Sequence, residues 1–293
     1  LEIKSNVYQQ FVLNNGKQKV YLRVFSEDDA GAIHILRDWT LLCDGTCVNI
    51  GSPQNKWYVL GDSISAGYYS ILKTDADKLG VTITYYPDGY TDRGSVWDNT
   101  LDHNYWGYIN KWYFNREQVK LAIPGQGYLH SATYNNKNGI NVVDENDFSD
   151  AGLITVAWGF NDWHYKMPLG SKDTISDKTT TYGAIYYCLK TLITKAPNAK
   201  ILVQTPMNGW LYGGDESTNW GIGFSLQNSK TLADVHDAIV YCANYFGLQI
   251  LEMTYNNSIV NRLNIKSVLL DGSHPTDVAH QQLARSIWSK IGY

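Results

Sequence analysis

Cysteine is scarce in this chain, and the four present do not read as a scaffold. Cys188 and Cys242 fall on apolar faces of expected helices and read as core residues. Cys43-Asp44-Gly45-Thr46-Cys47 fits a small disulfide loop, which would imply an oxidising compartment, and fits two free thiols equally well. Without further His or Cys nearby, it is a poor zinc site. No run of eighteen apolar residues occurs, so no membrane-spanning segment is expected. Excess positive charge is also missing. The formal net charge is −4, which argues against a nucleic-acid partner or an anionic membrane surface. No basic stretch leads into an apolar one at the start, and the first residue is Leu1 rather than Met. A processed or truncated terminus is therefore the expectation. There is no internal repeat and no low-complexity segment.

What is present is a globular composition, 44% hydrophobic and 18% charged, long enough for one large or two ordinary domains. The skew is aromatic: 22 Tyr and 10 Trp against 7 Phe. Tyr and Trp combine a flat apolar face with a polar handle, which suits both a core and a surface that holds amphipathic ligands such as sugars.

Residues 1–52 are expected to form a strand-rich segment, a remnant of or connection to an upstream domain, ahead of a main domain expected at 53–293. In the first segment, Val7–Leu13 and Lys19–Phe25 flank Asn14-Asn15-Gly16, a hairpin signal. Ala32–Leu42 is apolar and fits helix or strand. Gly51–Asn55 reads as a linker. From residue 56 strand and helix alternate. Trp57–Leu60, Val119–Ile123, Leu153–Trp158, Ile201–Gln204 and Leu248–Leu251 are near-continuous apolar runs, as in parallel strands buried on both faces. Between them lie helical faces, such as Ile185, Leu189, Leu192 and Ile193, or Leu232, Val235, Ile239, Cys242 and Phe246. Leu283, Ile287 and Ile291 mark the last helix. This pattern predicts an α/β fold, an open parallel sheet with helices on both sides and the ligand site at the carboxyl ends of the strands. Two long insertions interrupt it, at 73–103 and 207–229, and long loops in compact domains are commonly functional.

Four chemistry-bearing pieces fall at strand ends or before the last helix. These are Gly61-Asp62-Ser63, Pro124-Gly125-Gln126, Gly159-Phe160-Asn161-Asp162 and Asp271-Gly272-Ser273-His274. A serine hydroxyl needs a base within hydrogen-bond reach to act as a nucleophile. His274 can supply it, with Asp271 fixing the far imidazole nitrogen. A developing oxyanion needs donors aimed at it. The backbone N–H groups of Ser63 and Gly125 and the side-chain amide of Asn161 are the candidates. Each piece has an ordinary alternative, namely a turn serine capped by Asp62, a turn glycine, a helix cap at Asn161-Asp162 and a surface turn at 271–274. Their joint order and placement favour chemistry. The other histidines (His34, His103, His130, His164, His236 and His280) are scattered without metal-ligand spacing, so neither a metal nor a cofactor is expected.

The four pieces resemble the signature blocks of the SGNH hydrolases, the GDSL-type esterases, in the family's order. The match falls on Ser63, Gly125, Asn161 and His274, with Asp271 as the triad acid, and covers roughly residues 56–293. The resemblance implies a three-layer α/β sandwich around a five-stranded parallel, flavodoxin-like sheet, and a serine esterase with a Ser-His-Asp triad. Ile64 stands where the family usually has Leu, and the second block, Pro124-Gly125-Gln126, is a less common one. The nucleophile is not in a Gly-x-Ser-x-Gly elbow, which separates the chain from the α/β-hydrolases.

Fold and triad leave the ester open. Trp158, Trp163, Trp210, Tyr212 and Trp220 are expected to form an aromatic rim, with Asp62 and His164 also lining the pocket. Such a rim suits removal of O-acetyl groups from a carbohydrate. A lipid or thioester hydrolase, and a glycan-gripping host-recognition or cell-surface module that carries an esterase, are the alternatives. An extracellular, cell-surface or virion setting accompanies these readings.

Overall fold

A computed structural model describes residues 18–27, 33–43, 56–86, 89–98, 102–114, 116–133, 135–209, 231–255, 259–260 and 264–291. By internal contacts the chain divides into two compact units, Leu1–Ser52 and Pro53–Tyr293. In the first unit, β1 (Gln18–Glu27) pairs antiparallel with β2 (Ile33–Cys43), Gln18 facing Cys43 and Glu27 facing Ile33. Lys19–Phe25 forms a strand as expected, and it pairs with the stretch whose periodicity fitted helix or strand. β-Branched and aromatic residues such as Ile33, Ile35, Trp39 and Thr40 suit a strand once a partner edge is available. Val7–Leu13 lies outside the described residues, as does the Cys43–Cys47 pairing.

The second unit begins with β3 (Lys56–Gly61), α1 (Ser63–Ala66), β4 (Tyr68–Leu72), α2 (Lys73–Leu79), β5 (Arg93–Trp97), α3 (Tyr105–Ile109) and β6 (Gln118–Lys120). It continues with α4 (Gly139–Glu145), β7 (Ala151–Ala157), α5 (Phe160–His164), α6 (Thr181–Lys195), β8 (Lys200–Gln204), α7 (Leu232–Tyr245), β9 (Gln249–Leu251), α8 (Ile265–Val268) and α9 (Asp277–Ile291). Five strands form one sheet in the order β6-β3-β7-β8-β9, with every pairing parallel. These are the five apolar runs read from the sequence.

Alternation along each strand sorts side chains into two cores. Tyr58, Leu60, Ile154, Val156, Ile201 and Val203 point to one face, where α4, α6 and α7 bring Val143, Ile185, Leu189, Val235 and Ile239. Trp57, Val59, Leu153, Leu202 and Leu251 point to the other, against Trp106 and Ile109 of α3 and Leu283 and Ile287 of α9. The result is a three-layer sandwich. Helix α7 shows the local logic. Its apolar residues recur every three or four positions, and Thr231 with Asp234 closes a capping box at its start.

The insertion at 73–103 is less irregular than expected. It carries α2 and β5, and β5 pairs antiparallel with β4, Ser95 opposite Ser70. Ser70 in turn accepts the far end of the chain, its N–H donating to Pro275 O at 2.8 Å. This small sheet thereby reaches the loop that bears Asp271 and His274. The insertion at 207–229 lies outside the described residues from 210 onwards. Among the described residues, no helix is long and apolar enough to cross a membrane.

Candidate active site

β3 ends at Gly61, and the chain turns at once into α1. Asp62 caps that single turn, its carboxylate accepting from the Ile64 N–H at 3.0 Å. Ser63 is therefore the first helical residue, held at the carboxyl edge of the sheet. A buried polar network anchors the turn from below. Ser65 Oγ meets the Tyr105 hydroxyl at 3.2 Å, and that hydroxyl donates to Gln204 Oε1 at 3.0 Å.

Ser63 Oγ lies 2.8 Å from His274 Nε2 and donates to it, while His274 Nδ1 donates to Asp271 Oδ2 at 2.6 Å. Asp271 is buried. Its other oxygen accepts the backbone N–H groups of His274 at 2.7 Å and Ser273 at 3.1 Å. The three-residue spacing allows this tight turn, so the carboxylate holds both the ring and the backbone of His274. Burial by itself would raise the Asp271 carboxyl. The charge and hydrogen bonds of His274, together with the Ser95 hydroxyl, outweigh it and hold the group at about 2. Burial pushes His274 down, but Asp271 and then Asp62 more than reverse this, and its pKa rises. Burial also pushes Asp62 up to about 7, against the Ile64 N–H and the charge of His274.

Gly125 and Asn161 border the same cavity as Ser63 and His274, a cleft of about 410 Å³. Gly125 has φ +78°, a conformation that favours glycine, and a Cβ there would meet nothing closer than 3.9 Å. Backbone conformation, not crowding, is what asks for glycine. Asn161 Nδ2 donates one hydrogen to Gln126 O at 2.9 Å, which fixes the amide and leaves its second hydrogen for the cleft. Ser63 N–H belongs to the first helical turn, where no intrahelical acceptor exists.

Of the expected pocket residues, Asp62 and His164 line the cleft. Trp158 and Trp163 do not. Both are fully buried in the core between the sheet and α4, α6 and α7, which corrects their place on a rim. Trp158 continues the alternation of Ile154 and Val156, so it faces the same helix layer, and its Nε1 donates to Gln126 Oε1 at 3.2 Å. Trp163 packs edge-on against Phe160. Trp210, Tyr212 and Trp220 lie outside the described residues. Among the described residues, the Tyr and Phe side chains at the cleft are Tyr68, Tyr85, Phe160 and Tyr165.

Two further buried residues support the site. Ser95, from β5, donates its hydroxyl to Asp271 Oδ2. Asp162 is more than a helix cap. Its carboxylate accepts three successive backbone N–H groups, from Tyr128 at 2.7 Å, Leu129 at 2.8 Å and His130 at 2.9 Å. Burial still pushes its pKa up. His130 then donates from Nδ1 to Gly125 O at 2.8 Å, so Asp162 sets the loop that presents Gly125. Block patterns around Asn161-Asp162 hint at the second residue. Nothing near Ser95 marks the first.

No protein-family model matches the chain. No curated protein matches it either. Solved structures do. One is described as a possible lipase from Chitinophaga pinensis, at 18% identity and TM-score 0.54, covering 81% of this chain and 98% of that one. A second is described as a GDSL-like lipase from Bacteroides uniformis, at 17% identity and TM-score 0.51, covering 82% and 96%. A third is a carbohydrate acetylesterase from Sinorhizobium meliloti, at 11% identity and TM-score 0.51, covering 81% and 98%. The chain has the SGNH hydrolase fold. Within the SGNH frame the four blocks, far apart in sequence, meet at one edge of the sheet, with Ser63 after β3, Gly125 after β6, Asn161 after β7 and His274 before α9. The β4–β5 sheet, with Ser95, stands beside that frame.

Proposed function

We propose that this chain is a serine esterase that hydrolyses carboxylic esters and acts on O-acetylated carbohydrate. The observation that carries the reading is the hydrogen-bonded chain from Ser63 Oγ through His274 to Asp271, at 2.8 and 2.6 Å. In the first step Ser63 Oγ attacks the ester carbonyl carbon while His274 Nε2 takes its proton. The carbonyl oxygen becomes an oxyanion, met by the N–H groups of Ser63 and Gly125 and by Asn161 Nδ2. Collapse of this intermediate breaks the bond to the alcohol oxygen, which leaves with the proton from His274. An acyl-Ser63 remains. Water, deprotonated by the same ring, then attacks it, and collapse returns the carboxylic acid and free Ser63. Asp271 stays ionised throughout and stabilises the imidazolium.

The acetylated-carbohydrate class is supported by the make-up of the cleft. Among its described lining residues, only Ile64 and Pro124 are aliphatic. The rest offer hydroxyl, amide, carboxyl, imidazole or aromatic groups. A long acyl chain would ask for a continuous aliphatic wall. The test compares acetyl with decanoyl nitrophenyl esters, and acetate release from acetylated glycans, in wild type and Ser63→Ala. The expected result is acetyl preference and loss of nearly all turnover in Ser63→Ala. Asn161→Ala should lower kcat by about a hundredfold or more, as one oxyanion donor is lost. Near-full activity in folded Ser63→Ala would reject the mechanism. Decanoyl preference with no acetate released from any glycan would reject the substrate class.

A further inference from the structure

The expected tryptophan rim is partly core, yet the cleft does have aromatic planes. Tyr165 and Tyr85 both line it and are 47% and 42% exposed. The ring of one and the backbone of the other are held by neighbouring elements. Tyr165 follows α5, four residues after Asn161, and its ring lies flat on the His130 imidazole, with centroids 3.8 Å apart and planes 3° from parallel. His130 is itself fixed twice, by its N–H to Asp162 and by Nδ1 to Gly125 O. Tyr85 comes from the β4–β5 side. Its backbone accepts from Ser95 N at 2.8 Å and donates to Ser95 O at 3.3 Å, the residue whose side chain reaches Asp271. Each tyrosine is thus rigidly tied to one part of the proposed machinery, Tyr165 to the Gly125 loop and Tyr85 to the strand behind Asp271.

We infer that Tyr165 and Tyr85 form a carbohydrate-binding subsite that holds the sugar ring of the alcohol part while its acetyl ester lies at Ser63. This rests on the esterase reading above and names what its cleft recognises. A pyranose ring has an apolar face of C–H groups and an equatorial belt of hydroxyls. Aromatic faces take the first, and the hydroxyl and amide groups between the tyrosines can bond the second. A ring already stacked in place, as that of Tyr165 is, loses little freedom on binding, which raises affinity for a given contact area. An acyl chain or a simple alkyl alcohol offers no such flat polar-edged surface.

The experiment measures kcat/KM for fully acetylated methyl glucopyranoside and for ethyl acetate, in wild type, Tyr165→Ala, Tyr165→Phe and Tyr85→Ala. The ratio of sugar ester to ethyl acetate should fall by roughly tenfold in each alanine variant, through KM, and should persist in Tyr165→Phe, which keeps the plane. An unchanged ratio in both alanine variants overturns the subsite. A second arm does not need turnover. Xylo-, cello- and chito-tetraose are titrated calorimetrically into Ser63→Ala and into Ser63→Ala with Tyr165→Ala or Tyr85→Ala. Binding by the first that weakens in the others supports the subsite. Equal binding in all three, or none by Ser63→Ala, overturns it. If wild type cleaves neither ester, the esterase reading fails while the titration still decides the subsite.

Discussion

In the proposed mechanism Ser63 gives its proton to His274, and the buried carboxylate of Asp271 is the main group that tunes that ring. Asp271 is held at about 2 although burial opposes its charge, because His274 and Ser95 both face it. Its charge in turn raises His274 above the ordinary 6.5. A base works only when unprotonated, so kcat/KM should fall on the acid side with a midpoint above 6.5, and hold above it. Asp271→Asn removes the negative charge, so His274 loses the partner that raises it. The acid limb should move to lower pH while kcat drops, by less than in His274→Ala. A pH–rate profile of the two proteins checks this, and an unmoved limb would mean that Asp271 does not tune the ring. The same shifts bear on stability. A depressed Asp271 contributes above its unfolded value near 3.8, and that contribution is lost as pH falls through about 2. A raised His274 contributes below 6.5 and loses that contribution as pH rises through its folded value.

Among the elements, α5 and the loop after β6 act as one unit because Asp162 joins them. Three backbone N–H groups converge on its carboxylate, and Gly127 packs so close that a Cβ there would sit 2.5 Å from Asp162 Oδ2. Asp162→Asn exchanges an acceptor oxygen for an amide nitrogen that faces one of these donors. An unfolding free energy lower by about 1–3 kcal/mol is expected, the cost of a buried unsatisfied group. Gly125 would be less firmly presented, so kcat should fall with KM nearly unchanged. Denaturant unfolding and steady-state kinetics on the same samples measure both. A variant as stable and active as wild type would show that the loop does not need the clamp. The β4–β5 sheet has a comparable place, since it brings Ser95 to Asp271 from a region without any of the four motifs.

At the scale of the molecule, every residue of the proposed machinery lies within Pro53–Tyr293, a unit with its own sheet and two cores. A protein of residues 53–293 is expected to fold and to keep ester turnover. Thermal unfolding and nitrophenyl acetate hydrolysis test this, and an insoluble or inactive product would tie the site to residues 1–52.

Much of this arrangement follows from sequence because it rests on local rules. The central strands β3, β7 and β8 are apolar runs that burial on both faces explains, and Ser63, Gly125, Asn161 and His274 stand where strand ends put them. Asp271 is three residues from its histidine, so their meeting is nearly local. The remainder depends on which way side chains point and on contacts across long separations. Trp158 reads as rim or core from its position after β7, and strand alternation in the assembled sheet sends it inward. Ser95 meets Asp271 across 176 residues, a pairing that depends on β5 docking against β4. Tyr165 and Tyr85, not the buried tryptophans, reach the cleft because the Asp162-bound loop and the small sheet hold them there. The motifs at strand ends are enough to name Ser63 and His274 as the proposed nucleophile and base, because each is a local pattern. Which aromatic faces line the cleft depends on packing between distant segments.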